Sequence, residues 1–274
     1  MFYAKRFIFN NIPSETYNLF LGEMNGSGES TTSGSNDISI LSQKLFRKAT
    51  PLFFGVEQIP VLSFPLYVYS ETEITASAYS NISSWLFGQQ NFQKLRIVQT
   101  DMADVYYNCF LTAPQTIRIG NEIRGFTTTV ICDSPFAWKE PKTLSYTFAG
   151  YHTNISFFNE SANSFYTYPT NMVIRANSFG GDVRITNTSD DSRISQLGIS
   201  AYWPTSYPTL TPLFGNEVIT LNCDSQLISS SSRSYPLQTF NQKWPRFIQG
   251  TNNLIIDGNI ASLSFTYPVA FKAG

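Results

Sequence analysis

Residues 95–141 read LRIVQTDMADVYYNCFLTAPQTIRIGNEIRGFTTTVICDSPFAWKEP. Short runs rich in β-branched and aromatic residues alternate with turn residues, the pattern of consecutive strands. Residues 95–99, 105–111, 116–119 and 125–132 are the expected strands. Gly120 and Asn121 fall between two of them and suit a hairpin reversal, because both tolerate positive φ at little cost. Pro135 and Pro141 follow the last run. Neither can donate to a ladder, so the sheet is expected to close there. The stretch reads as the end of one β domain and the hinge to another.

Outward from it the same grammar continues. Residues 2–9 and 61–69 read as strands, the latter with Pro65 marking an edge or a bulge. Between 74 and 86 the period changes: Ile74, Ala78, Ile82 and Trp85/Leu86 recur at helical spacing. Thr72 is the expected N-cap of this helix and Gly88 its stop. Beyond 141, strands are expected at 144–148, 171–176, 183–186, 196–199, 218–221, 246–248, 254–256 and 263–267. Asp257–Gly258 gives a hairpin signal between the last two. This spacing predicts an antiparallel sandwich. The fold class is therefore mainly β: an N-terminal β domain with one helix over residues 1–141, then a sandwich over 142–274.

Composition narrows the function. Of the 274 residues, 14% are charged and 15% aromatic, with 23 Phe and 15 Tyr. Soluble domains typically carry about 25% charged residues. Low charge beside abundant aromatics fits a chain buried in an assembly, and fits equally a β protein whose surface is Ser, Thr and Asn. Net charge is −1 and no Lys/Arg cluster occurs, so nucleic acid is not an expected partner. No run reaches the length of about 18 apolar residues that spans a bilayer. The first residues read as a strand and not as a leader. Three separated cysteines, Cys109, Cys132 and Cys223, argue against a disulfide framework and for synthesis in a reducing cytosol. Asn-x-Ser/Thr sites include Asn81, Asn154, Asn159 and Asn187.

No catalytic pattern emerges. His152 is the one histidine, and a lone His is more often a surface or satisfied residue than a base or ligand. Asp182, Asp190 and Asp191 match no calcium loop. A glycan hydrolase needs two carboxylates flanking a bond, and no spacing here marks such a pair. The expectation is no enzyme, no cofactor and no metal.

Two stretches carry the candidate contact residues. Residues 25–37, NGSGESTTSGSND, contain no apolar side chain. A loop of that length and composition is either a disordered tip or an arm that orders against a neighbouring subunit; its candidate residues are Asn25, Gly26, Ser27, Gly28, Ser33 and Gly34. Residues 201–215, AYWPTSYPTLTPLFG, gather one Trp, two Tyr, one Phe and three Pro. Proline-stiffened aromatics give contact surface at low entropic cost, for a sugar face or a protein, and they also suit a loop folded over its own sandwich. The candidates there are Tyr202, Trp203, Tyr207 and Phe214.

The chain resembles the distal tail protein (Dit) family of long-tailed, non-contractile phages. FIFNNIPSETYNLFLGEMNG (7–26) is similar to that family's opening strand and the segment after it. ISSWLFG (82–88), LRIV (95–98), VYYNCFL (105–111) and RGFTTTVICDSPFAW (124–138) resemble its helix, its strands and its closing aromatic–Cys–x–Ser–Pro run. YPTNMVIRANSFGGDVRITNTSDDS (168–192) and FNQKWPRFIQGTNNLIIDG (240–258) resemble its second domain. The order and spacing of these parts carry the likeness.

The resemblance implies a hexameric ring built from the N-terminal domain and a galectin-like sandwich projecting from it. The ring would join the tail tube protein to the tail tip or tail-associated lysin protein and anchor the adsorption apparatus, in places with a receptor-binding protein, at the phage tail tip. Two departures stand out: residues 201–215 are longer and more aromatic than the family's usual connection, and there is no room for an inserted carbohydrate-binding module. The alternative reading is a carbohydrate-binding receptor-recognition module of a tail tip.

Overall fold

A computed structural model of the chain describes residues 5–22, 38–43, 52–58, 61–198 and 210–272. The chain divides into two compact units, Met1–Lys139 with Phe271–Gly274, and Glu140–Ala270. Both are antiparallel β.

The first unit contains β1 (Phe7–Phe9), β2 (Ile12–Pro13), β3 (Phe20–Leu21), β4 (Ile38–Gln43), β5 (Leu52–Gln58), β6 (Ser63–Tyr69), β7 (Gln93–Ile97), β8 (Val105–Ile119) and β9 (Glu122–Cys132), with one α-helix among the described residues, α1 (Ala76–Phe87). Strands pair in the order β3-β6-β9-β8-β7-β1-β2. The Leu21 N–H donates to the Lys5 carbonyl at 2.8 Å, so the β3 end of the sheet returns to the chain entering β1.

The core is aromatic. Trp85 of α1 stacks on Phe7 and Tyr17, meets Phe9 edge-on, and donates from Nε1 to the Phe9 carbonyl at 3.1 Å. Ile82, Trp85 and Leu86 face inward from the helix, as the period of the sequence requires. The cap differs from expectation. Thr75, not Thr72, precedes the helix, and its Oγ1 accepts from the Ala78 N–H at 3.2 Å. Gly88 ends it with φ −82°, without the left-handed turn; a Cβ there would lie 2.5 Å from the Ser84 carbonyl oxygen.

The β8–β9 hairpin turns at Gly120–Asn121, with Ile119 opposite Glu122 and Gly120 at φ +62°. The two runs expected at 105–111 and 116–119 are a single strand, β8, interrupted by a register shift between Thr112 and Gln115 where Ala113 takes φ +51°. Pro141 does not end the sheet. It lies inside β10 (Ala137–Thr147), which pairs with β8 through Trp138 and Lys139 and then continues into the second unit.

The second unit is two sheets over one core. One has the order β16 (Leu227–Ser230), β15 (Val218–Asn222), β12 (Asn171–Ala176), β18 (Ile260–Phe271), β10. The other has the order β11 (His152–Asn159), β17 (Gly250–Gly258), β13 (Asp182–Asn187), β14 (Arg193–Gly198). Met172, Ile174, Leu263 and Phe265 from the first meet Phe157, Ile185, Leu254 and Ile256 from the second. Asp257–Gly258 is not a hairpin. β17 pairs with β11 and β13, whereas β18 pairs with β12, so the chain changes sheets there. Gly258, at φ +107°, is required by a close approach: a Cβ would stand 2.3 Å from the Asp182 carbonyl oxygen.

Buried asparagines tie the loops of this unit to its strands. Asn159 donates to Thr167 Oγ1 and the Ile248 carbonyl and accepts from the Ser161 N–H. Asn187 donates to the Arg246 carbonyl and to Asn252 Oδ1, and Asn252 donates to the Ile248 and Gly250 carbonyls. Each amide satisfies main-chain groups that no ladder reaches.

Candidate functional site

Most of the residues singled out in the sequence, Asn25, Gly26, Ser27, Gly28, Ser33, Gly34, Tyr202, Trp203 and Tyr207, lie outside the described residues. Phe214 is described. Its side chain is 55% exposed, and the guanidinium of Arg233 lies 4.3 Å from the ring centroid. The loop's exit is held from both sides. Gly181 and Leu213 exchange two backbone hydrogen bonds, of 2.9 and 2.8 Å. Gly180 must be glycine, since a Cβ would come within 2.4 Å of the Leu213 carbonyl oxygen.

Three residues after Phe214, Glu217 is fully buried. It accepts from Arg233 Nε and Nη2 at 2.6 Å each, from Ser230 Oγ at 2.6 Å and from the Phe214 N–H at 2.8 Å. Burial raises the Glu217 pKa, but the bonds from Arg233, Ser230 and the Phe214 amide together outweigh it and hold the carboxyl below its usual range. The result is a fixed platform presenting one aromatic face, with exposed Phe179 and Tyr235 on the flanking segments.

The first unit presents a different surface, formed by residues outside the candidate set above. β4 and β5 form a two-stranded sheet that pairs with no other strand among the described residues. Ile40, Leu41, Phe53 and Phe54 are 66, 46, 66 and 63% exposed. Successive strand residues point to opposite faces, so both faces of this ribbon carry large apolar side chains. The signal was present: adjacent apolar pairs, Ile40–Leu41 and Phe53–Phe54, break the alternation of a half-buried strand. Beside β3 and β6 a cleft of about 410 Å³ is lined by Lys5, Leu21, Gly22, Tyr67, Tyr69 and Ile117.

Groups capable of chemistry are engaged structurally. His152 Nδ1 lies 2.5 Å from Asp257 Oδ1, its cross-strand neighbour. Arg246 forms a bidentate pair with Asp190 and lies over the Tyr166 ring at 3.4 Å. Cys109, Cys132 and Cys223 are buried thiols. Among the described residues no three His, Cys, Asp or Glu side chains are grouped to hold a metal, and no helix is long and apolar enough to cross a membrane.

Two family models match: one described as phage tail protein N-terminal domain over residues 2–134, and one described as phage tail C-terminal domain over 136–267. No curated protein matches in sequence. Among solved structures, the Dit protein (gp 19.1) of phage SPP1, titled a paradigm of the hub adsorption apparatus in phages infecting Gram-positive hosts, superposes with a TM-score of 0.65 at 9% identity, over 96% of this chain and 98% of that one. At that identity the likeness is one of fold. Chains of the phage P2 baseplate in its activated conformation, with Ca and with Sr, give TM-scores of 0.46 and 0.42 at 8 and 9% identity. They cover 94 and 98% of this chain and 92 and 99% of their own.

Proposed function

The chain belongs to the phage tail proteins whose N-terminal and C-terminal domain models it matches over residues 2–134 and 136–267, and from that premise we propose that it is the distal tail protein of a long-tailed, non-contractile phage. As a tail component it is part of the virion. In this reading the first unit assembles with copies of itself into a ring, a hexamer, between the tail tube protein and the tail tip or lysin protein. The second unit is a galectin-like sandwich that faces outward and anchors receptor-binding components. The chain's work is structural and not enzymatic.

The observation that carries the reading is the β4–β5 ribbon. A lone two-stranded hairpin is marginally stable in water, and one with large apolar groups on both faces is stabilised by burial against another surface. A ring supplies that surface through a head-to-tail contact repeated until it closes. The candidate arm at 25–37 is assigned to the same contact. The test is sedimentation and negative-stain imaging of the purified chain with and without Phe53→Ser/Phe54→Ser. Rings are expected from the parent, and folded monomers with native circular dichroism and a midpoint lowered by the lost assembly from the variant. A parent that stays monomeric at high concentration, and also with tube and tip proteins added, overturns the proposal.

A second reading, glycan recognition by the sandwich, is favoured by one observation: the exposed face of Phe214 on its fixed platform. Binding to host polysaccharides on a glycan array, lost in Trp203→Ala and Phe214→Ala, would support it; no binding across the array would exclude it.

A further inference from the structure

The three cysteines are free and buried, yet two of them face each other. Cys109 on β8 and Cys132 on β9 are directly opposed in the ladder, and both side chains enter the same core. The flanking hydrogen bonds define the kind of site. The Cys132 N–H donates away from β8, to the Leu62 carbonyl at 2.8 Å, whereas the next residue, Asp133, donates to the Asn108 carbonyl at 2.9 Å. Main-chain groups alternate sides along a strand, so Cys109 and Cys132 form a non-hydrogen-bonded pair. Such pairs hold their Cα atoms about 4.5 Å apart, with side chains at their closest. A disulfide requires a separation of about 4.4–6.8 Å. The register shifts of this hairpin fall elsewhere, at Thr112/Gln115 and Ile117/Arg118. Cys223 belongs to the second unit.

We infer that Cys109 and Cys132 form a cross-link site, a dithiol that a low-molecular-weight disulfide converts to a β8–β9 disulfide while this hairpin is open. One thiolate attacks the small disulfide, breaking its S–S bond, forming a mixed disulfide and releasing one small thiolate. The second cysteine's thiolate then attacks the protein sulfur of that bond, forming the Cys109–Cys132 bridge and releasing the other small thiolate. The two protein thiols are oxidised, the small disulfide is reduced to two thiols, and the two cysteine protons end on them.

Folding state controls the step. In the closed sheet both thiols are 0% exposed. Burial, with Asp133 adding to it, pushes the Cys132 thiol up to about 12, and burial raises the Cys109 thiol as well. Neither thiolate nor access is then available. A chain folded in a reducing cytosol keeps the dithiol; one that folds or reopens in an oxidising medium acquires the bridge.

The test uses the full chain, denatured and refolded in excess oxidised glutathione or in dithiothreitol, then alkylated and mapped by mass spectrometry. The expected oxidised product has lost two of the three thiols and yields a 109–132 linked peptide. The same link is expected in Cys223→Ser, with a raised unfolding midpoint over its dithiothreitol-treated control. Folded chain exposed to the same glutathione is expected to react more slowly than refolding chain. Three free thiols after oxidative refolding to native circular dichroism overturns the assignment. So does a bridge containing Cys223 as the main product, and so does closure in the folded chain as fast as in refolding.

Discussion

Trp85 in the first unit and Glu217 in the second hold comparable positions: each is a buried side chain on which several segments of its unit converge. Trp85 does this with ring faces, receiving Phe7, Phe9 and Tyr17 and spending its one polar hydrogen on Phe9. Glu217 does it with charge, drawing Arg233, Ser230 and the Phe214 amide onto one carboxylate. The pattern extends to each unit as a whole. Among the described residues, buried polar side chains in the first are few and small, Ser14, Ser70 and Thr128, while the second buries Asn159, Asn187, Asp190, Glu217 and Asn252 among others. One unit is held by non-directional packing, which tolerates pH. The other is held by directional bonds, which fix loops in place but depend on protonation state.

Four experiments sharpen or break this contrast. Trp85→Ala should remove about 3–5 kcal/mol from the first unit. Residue-resolved hydrogen exchange should show loss of protection in β1, β7 and α1 with little change in β12 or β15; equal loss in both units would end the comparison. Glu217→Ala should cost about 3 kcal/mol in the second unit, because it leaves the Arg233 guanidinium, itself largely buried, without its partner. Protection should fall at β15 and β16 and around Phe214.

Acid should discriminate as well. Glu217 has a folded pKa lowered below its ordinary value, so its contribution is complete above the unfolded carboxyl value of about 4.3 and is lost as pH falls through the folded value. Thermal scans from neutral pH downward should show the second unit weakening first, with the parent's extra acid sensitivity absent in Glu217→Gln. The smallest effect belongs to the helix cap: Thr75→Ala should cost about 1 kcal/mol, read as a lower urea midpoint of the first unit, while Thr72→Ala should leave the helix start intact.

Much of this architecture could be read locally. Periodicity placed α1 and the strands around it, and Gly120–Asn121 turned where a two-residue loop of that composition should. The misreadings share a cause. Asp257–Gly258 has hairpin chemistry, but its glycine answers the Asp182 backbone on another strand. Pro141 should end a ladder, yet it lies exposed within β10. Thr72 and Thr75 are equivalent as sequence, and only the geometry of the first turn selects between them. The Asp190–Arg246 and Glu217–Arg233 pairs join residues 56 and 16 positions apart, beyond any local pattern. The β4–β5 ribbon follows a different rule: apolar residues on both faces are the pattern of a buried strand, and here that burial is not supplied by the described chain.

The asparagine network bears on how the protein can be made. Asn159 and Asn187 each begin an acceptor sequence for N-linked sugar, and both side chains end up buried and fully bonded in the fold. Sugar is added to such sites in secretory compartments, where the chain is still unfolded, and a bulky hydrated glycan has no place between β13, β17 and the loops they hold. Routed through a eukaryotic secretory pathway, the second unit would be sealed out of its own structure. In a bacterial cytosol the same asparagines fold without obstruction.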